Sequence, residues 1–144
     1  MKVAVIVWDG LRPEFIQPDL TPSLWDLSEN GFCFRNHSAV YPTETRVNSA
    51  SIATGMHPAG HGIVANRFLD RPSGLVVNTG DHLQLDQLGD SAGAILPFPT
   101  ICGHIRGHGM RSLVVGSGSP GSTLLQDPVN QDRFVNIRGL ASHE

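Results

Sequence analysis

Apolar residues run unbroken over residues 3–8 and stop at Asp9-Gly10. That is the pattern of a central strand in a parallel sheet, buried on both faces, with its polar residue emerging at the carboxyl end. In open α/β sheets that end is where ligands bind. Residues 11–16 predict one helical turn around Pro13. Thr21-Pro22 then opens a helix, with Thr21 as N-cap, Pro22 at the first helical position and Gly31 beyond the end. Leu24, Trp25, Leu27 and Ser28 supply its inner face. Phe32, Phe34 and Asn36 alternate against Cys33, Arg35 and His37, which predicts a strand over residues 32–40 that Tyr41-Pro42 breaks.

From Thr45 or Arg46 to Thr54 the side chains are mostly small and Gly55 follows, so a helix packed closely on the sheet is expected there. Residues 57–67 read as a loop, and residues 74–77 as a short strand before the turn Asn78-Thr79-Gly80. The stretch 67–97 is the hardest to place. Residues 100–107 predict a helix ending near Gly109, residues 112–115 a strand, residues 116–121 a glycine-rich turn, and residues 134–137 a last strand. There is no internal repeat. Strands alternating with helices predict a βαβ architecture with right-handed crossovers.

Length and composition narrow this picture. A chain of 144 residues and 15.5 kDa is one α/β domain, with no room for separate cofactor and substrate domains. Hydrophobic residues at 40%, charged residues at 16%, 16 glycines and 10 prolines exclude a disordered chain and a helical bundle. The net charge of −3 leaves no nucleic-acid footprint and no basic surface for an anionic membrane. Lys2 is the sole lysine, so nearly all positive charge is arginine, the side chain suited to bidentate phosphate contacts, although genome base composition produces the same bias. No apolar run is long enough for a membrane segment, and the opening residues lack a signal-peptide cleavage site. Cys33 and Cys102 lie far apart between apolar neighbours, without metal-type spacing, and are expected to be buried as small hydrophobes. That usage fits a cytoplasmic location.

If the sheet is built in this way, Asp9 at a strand end, Thr45 at a helix start and Asn66 in the following loop converge. A carboxylate there is a hard oxygen ligand for a divalent cation, and a threonine hydroxyl beside that cation becomes a nucleophile at neutral pH. The helix amino terminus favours an anion such as phosphate, and Asn66 would donate its amide to a charged oxygen. Each residue alone has a plainer reading: Asp9 as an Asx turn, Thr45 as a helix cap, Asn66 as a turn residue. Arg46, beside Thr45, would either reach the phosphate or make a helix salt bridge.

The sequence Pro42-Thr43-Glu44-Thr45, the small-residue helix ending in Thr54-Gly55, and then His61-Gly62-Ile63 with Asn66 closely resemble the type I phosphodiesterase/nucleotide pyrophosphatase family of the alkaline phosphatase superfamily. Residues 5–13 look like the family's opening strand, and Thr21-Pro22-Ser23-Leu24 with Gly31-Phe32 adds support. The resemblance is dense over residues 3–68; residues 96–100 and 115–119 are family-like but less specific. It implies an alkaline-phosphatase-like α/β fold, a mostly parallel sheet flanked by helices, in which residues 1–144 would be the amino-terminal portion of a single catalytic domain, its incomplete first half. It further implies that Asp9 and Thr45 ligate zinc, two ions being expected in the complete protein. Thr45 would be the nucleophile that forms a phosphothreonine, and Asn66 would bind a non-bridging phosphate oxygen. The substrate would be a small-molecule phosphodiester or nucleotide. Thr43 fits less well, because the family's spacing to the asparagine is met by the 21 positions from Thr45 to Asn66.

The sequence departs from the eukaryotic-type pattern at Val47-Asn48-Ser49, where Pro-Asn-His is usual, which leaves the substrate class open. The family's later Asp and His ligands have no counterpart: Asp81-His82 is followed by Leu83, and His108-Gly109 follows Gly107. His104 and His108 lack a third ligand. One alternative is therefore a catalytically inactive fragment or anion-binding α/β module lacking the complete two-metal site. Another is a dinucleotide cradle at Gly116-Ser117-Gly118-Ser119-Pro120-Gly121, which Pro128 and the missing strand-end acid argue against.

Overall fold

Proline and small polar caps write the helix starts of this chain. In the computed structural model, which describes residues 2–129, 134–138 and 140–141, α1 (Pro22–Asn30), α3 (Pro58–His61) and α6 (Pro120–Leu124) begin at prolines. A missing N–H costs nothing at a first helical position. The side chains of Asp81, Thr100 and Ser119 cap α4 (His82–Ala92), α5 (Ile101–Gly107) and α6 by accepting from the N–H groups of Leu83, Gly103 and Ser122. α2 (Thr45–Thr54) stops at Gly55, whose φ of 70° is open to glycine at little cost.

The chain divides into two compact units after Ser38. In the first, a 3₁₀ turn (Pro13–Phe15) stands where a helical turn was expected, followed by α1. The expected strand over residues 3–8 is absent. Val3, Val5, Ile6, Val7 and Trp8 are 60–75% exposed and form no ladder, and Asp9-Gly10 is a turn with Gly10 at φ 78°. A central strand requires hydrogen-bonding partners on both edges, and no described residue supplies them. Residues 32–40 likewise form no strand. Phe32 and Phe34 are exposed, their ring centroids 6.4 Å apart, and Cys33 is exposed rather than buried. α1 buries no residue: Leu24 and Ser28 of its predicted inner face are part-buried, Trp25 and Leu27 are exposed, and the Thr21 hydroxyl donates to Phe15 O at 2.9 Å instead of capping the helix.

The second unit holds the core. Ala50, Ile63, Val77, Leu85, Leu88, Leu96, Leu124, Leu125 and Phe134 cluster there, with Phe68, Ile95 and Val114 packed against them. Each large member contributes about 1.5–3 kcal/mol by leaving water. β1 (Arg67–Leu69) pairs antiparallel with β2 (Val76–Asn78). β3 (Val114–Gly116) pairs parallel with β4 (Phe134–Asn136), and β5 (Leu140–Ala141) adds antiparallel to β4. β3–α6–β4 is thus a βαβ unit, while the two small sheets are not the mostly parallel sheet expected from sequence. α2 buries Val47, Ala50 and Ala53 and packs on α3, α5 and α6. Among the described residues no helix is long and apolar enough to cross a membrane.

Candidate functional site at the start of helix α2

Asn48, one turn into α2, organises the approach to this helix. Its Oδ1 accepts from Val40 N–H at 3.0 Å, and its Nδ2 donates to Glu44 O at 3.1 Å and Pro42 O at 3.4 Å. The segment carrying the cis Tyr41-Pro42 bond is thereby held against the first turn. Sequence reasoning missed this role; the available signal was a long amide among small residues just inside a helix start.

Thr45 stands exposed at the first helical position. On either side of it, two bonds reach across to the loop after α3. Asn66 N–H donates to the Glu44 carboxylate, and Asn66 Oδ1 accepts from Arg46 N–H at 3.2 Å. The asparagine side chain therefore caps one of the amide groups that a helix start leaves without an intrahelical partner. With Oδ1 committed to Arg46, Nδ2 is the remaining donor, and no described residue accepts from it. The Asn66 carbonyl is held in turn by Thr79, whose N–H and hydroxyl donate to it at 3.0 and 2.9 Å. The structure thus places Asn66 against the two residues that flank Thr45. Asp9 lies in the first unit, exposed in the turn that Leu11 N–H closes onto Trp8 O at 3.5 Å.

His61 ties the loop to the helix from below. Ile63 N–H donates to Nδ1 at 3.1 Å, so Nδ1 is the acceptor, and Nε2 donates to Ser51 Oγ at 2.9 Å. The ring is fully buried. Burial, reinforced by the charge of His57, moves its pKa below the ordinary histidine value, against an opposing backbone hydrogen bond. Farther along the chain, Asp127 is buried beneath a two-pronged pair with Arg106, whose pKa that bond raises. Burial pushes the nearby Cys102 thiol up, which makes it a poor nucleophile.

Two other sequence candidates resolve into packing. A Cβ on Gly116 would lie 1.9 Å from Thr123 Oγ1, and one on Gly121 would lie 2.1 Å from Thr79 O. These glycines permit close contact; α6 spans only five residues, and β4 ends on Asn136, which donates to Thr123 Oγ1 at 2.6 Å. His108 Nδ1 lies 2.9 Å from the His104 carbonyl.

Among the described residues no three His, Cys, Asp or Glu side chains come together as a metal-binding group. Within the second unit, the described groups beside Thr45 include its own hydroxyl, the Asn66 amide and a Glu44 carboxylate already bonded to Asn66 N–H. That set does not fit a two-zinc centre.

Comparison with known proteins follows the same residues. The family model for type I phosphodiesterase/nucleotide pyrophosphatase matches residues 3–123. An uncharacterised pyrophosphatase/phosphodiesterase of Schizosaccharomyces pombe is 36% identical over 72 residues, covering 50% of this chain and 15% of that protein. Ectonucleotide pyrophosphatase/phosphodiesterase family member 1 of Homo sapiens is 39% identical over 64 residues, 43% of this chain and 7% of that protein. A bis(5'-adenosyl)-triphosphatase of Bos taurus is 33% identical over 81 residues, 56% of this chain and 17% of that protein. The matched part is therefore under a fifth of each of these relatives. No solved structure shows a significant match.

Proposed function

The chain belongs to the type I phosphodiesterase/nucleotide pyrophosphatase family, and from that premise we propose that it carries the nucleophile half of a phosphodiester- or nucleotide-pyrophosphate-hydrolysing site. The observation that supports the reading is an exposed Thr45 flanked by Glu44 and Arg46, both bonded to Asn66, whose Oδ1 is fixed on Arg46 N–H and whose Nδ2 is left to donate. Thr45 Oγ attacks phosphorus; the Oγ–P bond forms, the bond to the leaving oxygen breaks, and the hydroxyl proton is balanced by protonation of the leaving group. Water then cleaves the phosphothreonine, restoring the hydroxyl and releasing the phosphate product. Asn66 Nδ2 donates to a non-bridging oxygen as its charge grows.

In the whole protein, Asp9 and Thr45 would be two of the zinc donors. The described residues do not by themselves fit a two-zinc centre. The same shortfall supports a second reading, an anion-binding module without turnover.

Thr45→Ala in the full-length protein separates the two. Hydrolysis of bis(p-nitrophenyl) phosphate should fall by on the order of 10³ or more, as for removal of other covalent nucleophiles. An unchanged rate, together with far less than two zinc ions per chain by elemental measurement, would favour the binding module.

A further inference from the structure

Arg46 has one buried polar atom, Nε, with no hydrogen-bond partner. Neither Arg12–Glu14 nor Arg106–Asp127, the ion pairs seen within the two units, involves it. The acids nearest in sequence to it and to the segment it touches are otherwise engaged. Glu44 accepts from Asn66 N–H, and Asp81 accepts from Leu83 N–H and Gln84 Nε2, each at 3.0 Å. A buried N–H left without a partner, as Nε is here, costs free energy, and such groups are uncommon enough to call for a reason.

The head group also has a defined place. A Cβ on Gly80 would lie 3.5 Å from both Cζ and Nη2 of Arg46, so the guanidinium rests against the chain just after Thr79. Thr79 bonds the Asn66 carbonyl, and Asn66 Oδ1 bonds Arg46 N–H. Both ends of Arg46 are therefore set by the same frame that holds Asn66 beside Thr45.

We propose that Arg46 determines specificity at the Thr45 site by binding a second anionic group of the substrate, beyond the phosphoryl group that Thr45 attacks. The inference rests on the function proposed above and narrows it to substrates whose scissile phosphorus has an anionic neighbour, as in a phosphoanhydride, in preference to diesters with two uncharged ester groups. A planar guanidinium suits this task because it presents paired donors to a phosphate or carboxylate.

The test uses the full-length protein and the ratio of kcat/KM for ATP to that for bis(p-nitrophenyl) phosphate. Arg46→Met, which keeps the aliphatic stem, should lower that ratio roughly tenfold to a hundredfold, the size of a lost hydrogen bond to a charged group. Arg46→Lys keeps charge but not the fork and should lower it by less; it also serves if the Met variant does not fold. A ratio unchanged in a folded variant overturns this inference while the Thr45 reading stands. Wild-type protein that hydrolyses neither substrate overturns both.

Discussion

A single imidazole couples the site to pH. His61 is buried as the neutral ring, with Nδ1 taken by Ile63 N–H, so a proton on that nitrogen breaks a bond that shapes the loop leading to Asn66. Its folded pKa lies below the 6.5 of an ordinary histidine. Above that value both folded and unfolded chains hold the ring neutral and it has no pH-linked effect. As pH falls below it, the unfolded chain binds the proton first and stability is lost, by up to roughly 1.4 kcal/mol per pH unit, until the folded ring also titrates. Melting between about pH 7.5 and about pH 5.5 should therefore fall more steeply for wild type than for His61→Gln. Parallel slopes would remove His61 from this account. The residue-level chemistry was legible to different depths. Thr45 and Asn66 could be named from their spacing and resemblance, whereas the Ser51–His61–Ile63 chain could not, because nothing in a string of letters says which nitrogen meets which hydroxyl.

At the level of elements, backbone clearance decides more than propensity. Gly121 allows α6 to lie on the chain at Thr79–Gly80, where its N–H donates to Gly80 O at 3.0 Å. Gly121→Ala sets a methyl group against a carbonyl and should cost about 1–3 kcal/mol by denaturant midpoint. Because Thr79 braces Asn66, the change should also lower hydrolysis; full stability in the variant would refute the contact. α2 and α5 were readable from a proline-free start, small residues, Thr100 and a glycine stop. α4 carries a capped amphipathic pattern in Asp81, Leu85, Leu88 and Gly93, but the glycine and polar residues around it satisfy turn patterns equally well. β1 and β5 are too short to impose a period of two.

Over the whole molecule, the apolar surface is unevenly housed. Residues 3–8, together with Phe32 and Phe34, leave large side chains in water, a surface that invites association. Val5→Ser with Val7→Ser should make the 144-residue chain more soluble in light scattering while moving its denaturation midpoint by no more than about 0.5 kcal/mol, as for substitutions at exposed positions. A large loss of stability would show that these side chains are buried in solution. The sequence by itself determined the family, the helix starts and stops around α2, and the spacing of Thr45 and Asn66, because caps, turns and motif spacing act over a few neighbouring positions. Only the tertiary structure decided that residues 3–8 form no ladder with the described residues, that Asn66 turns its oxygen to Arg46, and that Arg46 Nε is buried without a hydrogen-bond partner. Pairing, amide orientation and hydrogen-bond satisfaction all depend on which distant groups arrive in the same place.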